Sequence, residues 1–341
     1  MKLKNSIKDI AIAAGTSVSS VSRVLNNSGY VSKPVRERVE AAVRDLNYTP
    51  SKDARMLRGA QSRLVGLMLP AVDVPFFGIL AQAIEQALFQ MGYQTFICCT
   101  SENMDHESRY VSMLLSQRVD GVIVASAFGD SRHFSEFSRA GVPVVAIDRA
   151  LDGVAMHTVM ADHAEGGRIM VRHLHGLGHR TIAIVGAPSH SQSIQLRLGA
   201  IEHELATLGL RPAVVTLDDA HTFGSAYDRA RAIISNRPDV TAIMGLTDVA
   251  AIASIHAVQD SGKAIPGDIS VIGFDDLPEA AYVFPRLTTV SQPIREVGEH
   301  AAQFMERAIQ SRRTGDEAQA SVERLSVRLI ERESTGAVRS V

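Results

Sequence analysis

Through the first fifty residues the apolar positions recur every three or four places, and beyond residue 63 they condense into short runs separated by amphipathic stretches. The first texture predicts helices, the second an alternation of strands and helices. In SIKDIAIAAGTSVSSVSRVLN (6–26), Ile7, Ile10, Ala11 and Ala14 share one face of a first helix, and Val21, Val24 and Leu25 share one face of a second. Ser6 and Asp9 have the spacing of a capping box, Gly15 supplies a permissive turn, and Ser17 is placed to cap a helix over Val18 to Leu25. A third helix is announced by Ser32 as cap, Pro34 in the first turn, and Val35, Val39, Ala42, Val43 and Leu46 at helical spacing. Pro50 breaks it, and a short basic linker follows.

From Leu64 the strand runs are LVGLMLP, TFICC, GVIVA and VPVVAID, with helices over about 76–91, 106–117 and 131–140. A second series has strands at 158–160, TIAIVG, AVVTLD, AIMGLTD and ISVIGFDD, interleaved with helices near 163–177, 193–208, 222–235 and 248–261. Repeated strand-helix units imply parallel sheets, and two series imply two doubly wound α/β lobes behind the helical module. A long helix over 294–312 and a last strand over about 321–330 leave room for the chain to recross between the lobes. Ligands of such sheets sit beyond the carboxyl ends of the strands.

Charge sharpens this division. The net charge is −2, but residues 1–62 carry 11 Lys and Arg against 5 Asp and Glu, which makes that segment +6 and the remainder −8. A basic helical module on an acidic body suits a partner whose phosphates supply much of the binding energy. No run of about 18 apolar residues and no N-terminal hydrophobic signal core is present, so a cytoplasmic protein is expected. The only cysteines, Cys98 and Cys99, are neighbours in a strand run, where they read as thiols on opposite faces rather than a redox or metal pair.

Two helices joined by a tight turn, with Val18, Ser19, Ser22, Arg23 and Asn26 left on the polar face of the second, form a helix-turn-helix pattern that sets side chains against base edges. A surface helical hairpin is the bland alternative. In the linker, Leu57 between Arg55 and Arg58 fits a minor-groove wedge flanked by phosphate-binding cations, and fits an ordinary linker equally well. At the strand ends stand Asp73, Phe76, Phe77, Asp148, Arg149, Asp248, Asp275 and Asp276, with Arg197 opening onto the same region. Paired acceptors and donors with an aromatic wall suit a polyhydroxylated ligand. An enzyme reading finds less support: there is no G-x-G-x-x-G, no G-x-x-x-x-G-K and no nucleophile elbow, and the adjacent carboxylates Asp275 and Asp276 diverge. His173, His175 and His179 invite a metal, but two of them point to different helix faces, and neither metal nor cofactor is expected.

The chain resembles lactose-repressor-type (LacI/GalR-type) transcription regulators over nearly its full length, through IKDIAIAAGTSVSSVSRVLN, VSKPVRERVEAAVRDLNYTPS, MLRG, VDVPFF, QRVDGVIV, GVPVVAIDR, LHGLGHRTIAIVG, DISVIGFDD and PRLTTVSQP. The resemblance implies a DNA-binding domain over 1–50, a hinge helix over 51–62, an effector-domain N-lobe over 63–161 with 292–322, and a C-lobe over 162–291 with 323–341. The two lobes would have the fold of periplasmic sugar-binding proteins. It further implies that Val18, Ser19 and Arg23 read bases, that Ser17, Ser22, Asn26 and Tyr30 hold the backbone, and that Leu57 is the wedge. Effector contacts would fall on Phe76, Asp148, Arg197, Thr247, Asp275 and Gln292. Two positions depart from the family: Ala220 stands where an aromatic often stacks on the effector, so Phe223 or His221 would have to supply that wall, and Thr247 stands where Asn is common. No leucine-heptad tail is present, so a homodimer on pseudo-palindromic operator DNA is expected rather than a tetramer. The expected function is repression of a carbohydrate-utilisation operon, switched by a small sugar-like effector. A purine, nucleoside or sugar-phosphate corepressor is the alternative within the class. A sugar-binding protein or hydrolase sharing the body is the alternative outside it, and the basic N-terminal module argues against that.

Overall fold

The computed structural model describes residues 6–25, 28–48, 61–125, 131–149, 157–186, 190–217, 222–315 and 320–338. The chain divides into two compact units, Met1–Ser62 and Arg63–Val341.

The first unit packs α1 (Ile7–Ala13), α2 (Val18–Leu25) and α3 (Lys33–Asp45) around Ile10, Val21 and Val39, all fully buried. The capping box forms: the Ser6 N–H donates to Asp9 Oδ2 at 2.7 Å, and the Asp9 N–H donates back to Ser6 Oγ at 3.4 Å. Gly15 takes φ +59° in the turn, a left-handed conformation that glycine adopts without steric cost. Ser17 Oγ accepts the Ser20 N–H at 3.1 Å and so caps α2. Ser32 stands at the N-cap of α3 but makes no side-chain cap bond; Pro34, whose missing N–H costs nothing in the first turn, opens the helix instead.

The second unit holds two six-stranded sheets. The first runs in the order β11-β5-β4-β3-β1-β2, from β1 (Leu64–Leu69), β2 (Gln94–Cys99), β3 (Gly121–Val124), β4 (Val144–Ile147), β5 (His157–Ala161) and β11 (Val322–Leu325). The second runs β12-β10-β9-β8-β6-β7, from β6 (Ile182–Val185), β7 (Val214–Thr216), β8 (Ala242–Gly245), β9 (Ser270–Asp275), β10 (Thr288–Ser291) and β12 (Arg328–Ile330). Every pairing is parallel except β12 on β10. Strands β1, β3, β4, β6, β8 and β9 are buried along their whole length, because helices cover both faces of each sheet, and this is why they read as continuous apolar runs. The helices are α4 (Pro75–Gln90), α5 (Met104–Ser116), α6 (Ser135–Arg139), α7 (His163–Gly176), α8 (Gln192–Thr207), α9 (Phe223–Asn236), α10 (Asp248–Asp260) and α11 (Ile294–Thr314).

Three features differ from the sequence reading. Strand β10 lies in PRLTTVSQP, which carries no apolar run and was expected only as a resemblance motif. The helix expected over 131–140 is a 3₁₀ turn, Ser131–Phe134, followed by the short α6. Residues 321–330, expected as one strand, form two: Leu325 packs on the core of the first sheet and Val327 on that of the second, so the chain changes sheet between them. An unbroken alternation such as VERLSVRLI does not reveal which sheet each residue joins. The chain thus passes between the sheets at residues 161–163, 291–294 and 325–328.

Candidate functional site

On the helical unit, Val21 and Val24 turn inward while Ser17, Val18, Ser19 and Arg23 are exposed and Ser22 is half-buried. Val18 is 36% exposed and Tyr30 88%, which leaves apolar and aromatic surface beside the polar positions of α2. The Ser17 hydroxyl is engaged within the cap, 2.8 Å from Ser19 Oγ and 2.9 Å from Ser20 Oγ. Asn26, Arg55, Leu57 and Arg58 lie outside the described residues.

In the second unit a cleft opens at the carboxyl ends of the strands of both sheets. Phe76, Phe77, Asp148, Arg149, Arg197, Thr247, Asp275 and Gln292 all line it. The fold positions each in turn. Asp148 directly follows β4, Asp275 ends β9, Gln292 directly follows β10, and Arg197 projects from the first turns of α8. Asp148, Asp275 and Asp276 all have positive φ, +57°, +129° and +59°, a conformation that costs energy for a residue with a Cβ and is held here by their hydrogen bonds. Phe76 and Phe77 meet edge to face, 5.0 Å between centroids, and form an aromatic wall at the start of α4.

The polar groups form one chain. Asp148 Oδ1 accepts from His163 Nε2 at 2.8 Å, and His163 Nδ1 accepts from Arg197 Nε at 3.2 Å. Arg197 also donates through Nη1 to the Leu246 carbonyl at 2.6 Å, stands 3.7 Å from Asp275 Oδ1, and lies over the Phe274 ring at 3.7 Å. Gln292 Nε2 donates to Asp275 Oδ1 at 2.6 Å. Burial raises the Asp148 carboxyl, but His163 and Arg197 outweigh it and hold the group below the usual carboxylate range. Burial pushes Asp275 above that range against the pull of Arg197.

Two expected contacts are not in the cleft. Asp73 is exposed and does not line it, since the loop after β1 turns this side chain to solvent. Asp248 is fully buried behind it, accepting the Leu277 N–H at 2.7 Å and the Thr289 hydroxyl at 2.5 Å. A carboxylate with that many internal donors serves the fold. Ala220 and His221 lie outside the described residues, and Phe223 does not line the cleft: it stacks on Tyr227 and abuts His256 on the outer face of the second lobe. Thr247 lines the cleft and also caps α10, accepting the Ala250 N–H at 3.2 Å. Of the paired carboxylates, Asp275 faces the cleft while Asp276 binds Arg332 at 2.6 Å.

The cleft also contains residues not read from the sequence. Glu102 and His190 approach to 3.4 Å from the two lobes, and Ser191, Gln192 and Ser193 lie at the start of α8. Glu102 falls three residues beyond β2, so the strand-end rule locates it when applied to that strand. His163 binds two cleft residues without lining the cleft. His173 and His179 tie the end of α7 to the C-terminal segment, through Thr335 at 2.9 Å and the Gly336 carbonyl at 3.1 Å. Cys98 is buried, which pushes its thiol up to about 11, and Cys99 is half-buried on the other face. Among the described residues no group of His, Cys, Asp and Glu is arranged to hold a metal ion, and no helix is long and apolar enough to cross a membrane.

Two family models match: "Bacterial regulatory proteins, lacI family" over residues 6–51 and "Periplasmic binding protein-like domain" over 171–335. A ribose operon repressor of Halalkalibacterium halodurans is 33% identical over 306 residues, 90% of this chain and 91% of that one. An HTH-type transcriptional repressor PurR of Aliivibrio fischeri is 32% identical over 305 residues, 88% of this chain and 90% of that one. The crystal structure of the Lac repressor dimer bound to operator and the anti-inducer ONPF superimposes with a TM-score of 0.87 at 29% identity, covering 98% of this chain and 100% of that one.

Proposed function

Since the chain belongs to the lacI family of bacterial regulatory proteins, we propose that it is a dimeric, operator-binding repressor of a carbohydrate-utilisation operon, switched by a small neutral sugar in the cleft. The observation that carries the effector part is the convergence of Asp148 from one lobe with Arg197, Asp275 and Gln292 from the other or its boundary. A ligand whose hydroxyls bridge these groups favours one lobe arrangement over another, and it shifts the DNA-competent population by its differential affinity alone, typically about 1–3 kcal/mol. Val18, Ser19 and Arg23 read base edges, Ser17, Ser22, Asn26 and Tyr30 hold the backbone, and Leu57 with Arg55 and Arg58 completes the DNA contact from the linker. Sugar binding releases the DNA.

A purine or nucleoside corepressor is the second reading, favoured by the likeness to the purine-type repressor and by the Phe76–Phe77 wall, on which a flat base stacks. The acidic set makes a sugar phosphate the weaker fit, because it adds like charge to buried carboxylates. A thermal-shift panel of pentoses, hexoses, sugar acids, sugar phosphates and purines separates these, since a ligand of the folded state alone raises its melting temperature. A neutral sugar that raises it and weakens binding to a selected palindromic duplex is the expected result. Stabilisation by purines or phosphorylated ligands alone overturns the sugar reading.

A further inference from the structure

We infer that His163, which does not line the cleft, is the positioning residue that sets the Asp148 carboxylate of the first lobe and the Arg197 guanidinium of the second in their ligand-binding orientations; this rests on the effector reading above. Its ring is 1% exposed and sits at the first passage of the chain between the sheets, as the opening residue of α7. A carboxylate only accepts and a guanidinium only donates, so a group between them must offer one donor and one acceptor. His163 does this with its hydrogen on Nε2, aimed at Asp148 Oδ1 at 2.8 Å, and its lone pair on Nδ1, facing Arg197 Nε–H at 3.2 Å. The opposite tautomer would set a hydrogen against the Arg197 donor and a lone pair against a carboxylate oxygen.

The ring is itself fixed. The start of α7 is pinned by the Asp162 N–H donating to the Leu325 carbonyl at 2.8 Å, at the third passage, and by Asp162 Oδ1 accepting the Glu165 N–H at 2.9 Å. On the other side His163 leans on Phe274, 6.0 Å between centroids, the ring that also carries Arg197. Ligand contacts from both lobes are therefore referred to one side chain at the point where the lobes join. The charged groups around it are Asp148, Arg197 and, through Arg197, Asp275.

The test compares full-length wild type with His163→Gln, which keeps one donor and one acceptor at similar reach, and His163→Leu, which fills the space with neither. Without any ligand, ¹⁵N spectra of histidine-labelled wild type should show the His163 ring as the Nε2–H tautomer, assigned by its loss in the Gln variant. The ¹³C carboxyl signal of Asp148 should titrate at higher pH in the Leu variant than in wild type, with the Gln variant, which keeps the hydrogen bond but not the imidazole's charge, between the two. With whichever of D-ribose, D-xylose and D-glucose stabilises wild type, titration well below melting should give about tenfold or greater weakening for Leu and within about threefold for Gln, tenfold being 1.4 kcal/mol. An Nδ1–H tautomer, an unmoved Asp148 titration in the Leu variant, or equal weakening by Gln and Leu overturns the positioning role. If none of the three sugars binds wild type, the sugar reading fails for them, while the two ligand-free measurements still decide the role of His163.

Discussion

The main-chain N–H of Asp248 donates to Asp275 Oδ2 at 3.4 Å, which sets two fully or nearly buried aspartates back to back, one behind the cleft and one facing it. Burial, and then the charge of Asp275, push Asp248 above the usual carboxylate range. Groups raised in the folded state bind protons more tightly there than in the unfolded chain. Their contribution to stability is fully present below the ordinary carboxylate range and is lost as pH rises through the raised values. Asp248→Asn keeps an acceptor for the Leu277 N–H and offers a donor to Thr289, so it should melt above wild type at about pH 8 and lose that advantage toward about pH 5. Calorimetric scans in matched buffers check this; parallel pH dependences for the two proteins would refute it.

Gly166→Ala should act at a distance on the ligand. A Cβ at Gly166 would stand 2.3 Å from Phe274 Cε2, and Phe274 supports the Arg197 guanidinium. Overpacking of this kind costs about 1–3 kcal/mol, and here it also displaces a cleft donor. Chemical denaturation gives the first effect and calorimetric titration the second; a variant as stable as wild type would mean that the ring yields freely.

Arg197→Ala is a poor probe of ligand binding alone. Arg197 is 3% exposed and compensates the buried Asp275 and the partly buried Asp148, so its removal should cost about 3–5 kcal/mol of stability. Asp275→Asn is the milder variant: its amide oxygen still accepts from Gln292, at the loss of the acceptor for the Asp248 N–H. It should fold at a modest cost in stability and bind DNA, but lose the ligand response. Melting curves alongside operator release measure both halves, and an intact response in Asp275→Asn would count against the cleft as the effector site.

Ser6→Ala removes the Oγ that accepts the Asp9 N–H, and should cost the helical unit about 1 kcal/mol. The other half of the box, from the Ser6 N–H to Asp9 Oδ2, remains, and it holds the Asp9 carboxyl below its ordinary range. That half contributes above the ordinary carboxylate range and fades as pH falls through the lowered value. Amide protection factors in residues 6–13, taken relative to the intrinsic exchange rate at each pH, should therefore fall modestly in the variant at neutral pH and further in acid.

Arg23→Ala should cost about 1–3 kcal/mol at one base pair of each half-site and relax preference there, whereas loss of a pure phosphate contact would weaken all sequences alike. Selection of bound duplexes at several salt concentrations distinguishes the two. Unchanged sequence preference would remove Arg23 from the base-reading set.

Much of this architecture is legible where a residue's local neighbours decide its state. The capping box at Ser6 and Asp9, the Gly15 turn and the buried strands of both sheets follow from short-range pattern, and so does the placing of Asp148 and Asp275 at strand ends. What is not legible depends on partners distant in the chain. Asp248 and Asp275 read alike as acidic residues after strands, yet one is taken up by Leu277 and Thr289 and the other is left to face the cleft. His163 reads only as the first residue of a helix, and its function exists only because Asp148 and Arg197 converge on it. Phe223 reads as a replacement wall, but the direction of α9 sends it outward to Tyr227 and His256.

The edge strands β11 and β12 have a consequence for biosynthesis. Residues 322–330 complete both sheets, β11 beside β5 in one and β12 beside β10 in the other. While the chain is being made, each growing lobe therefore exposes an unpaired strand edge until that segment has left the ribosome. The helical unit, built from contiguous residues, is ready to fold far earlier. A nascent chain thus holds a folded DNA-reading module well before it holds a body able to answer a ligand, and its unfinished edges are what a chaperone would have to cover in the interval.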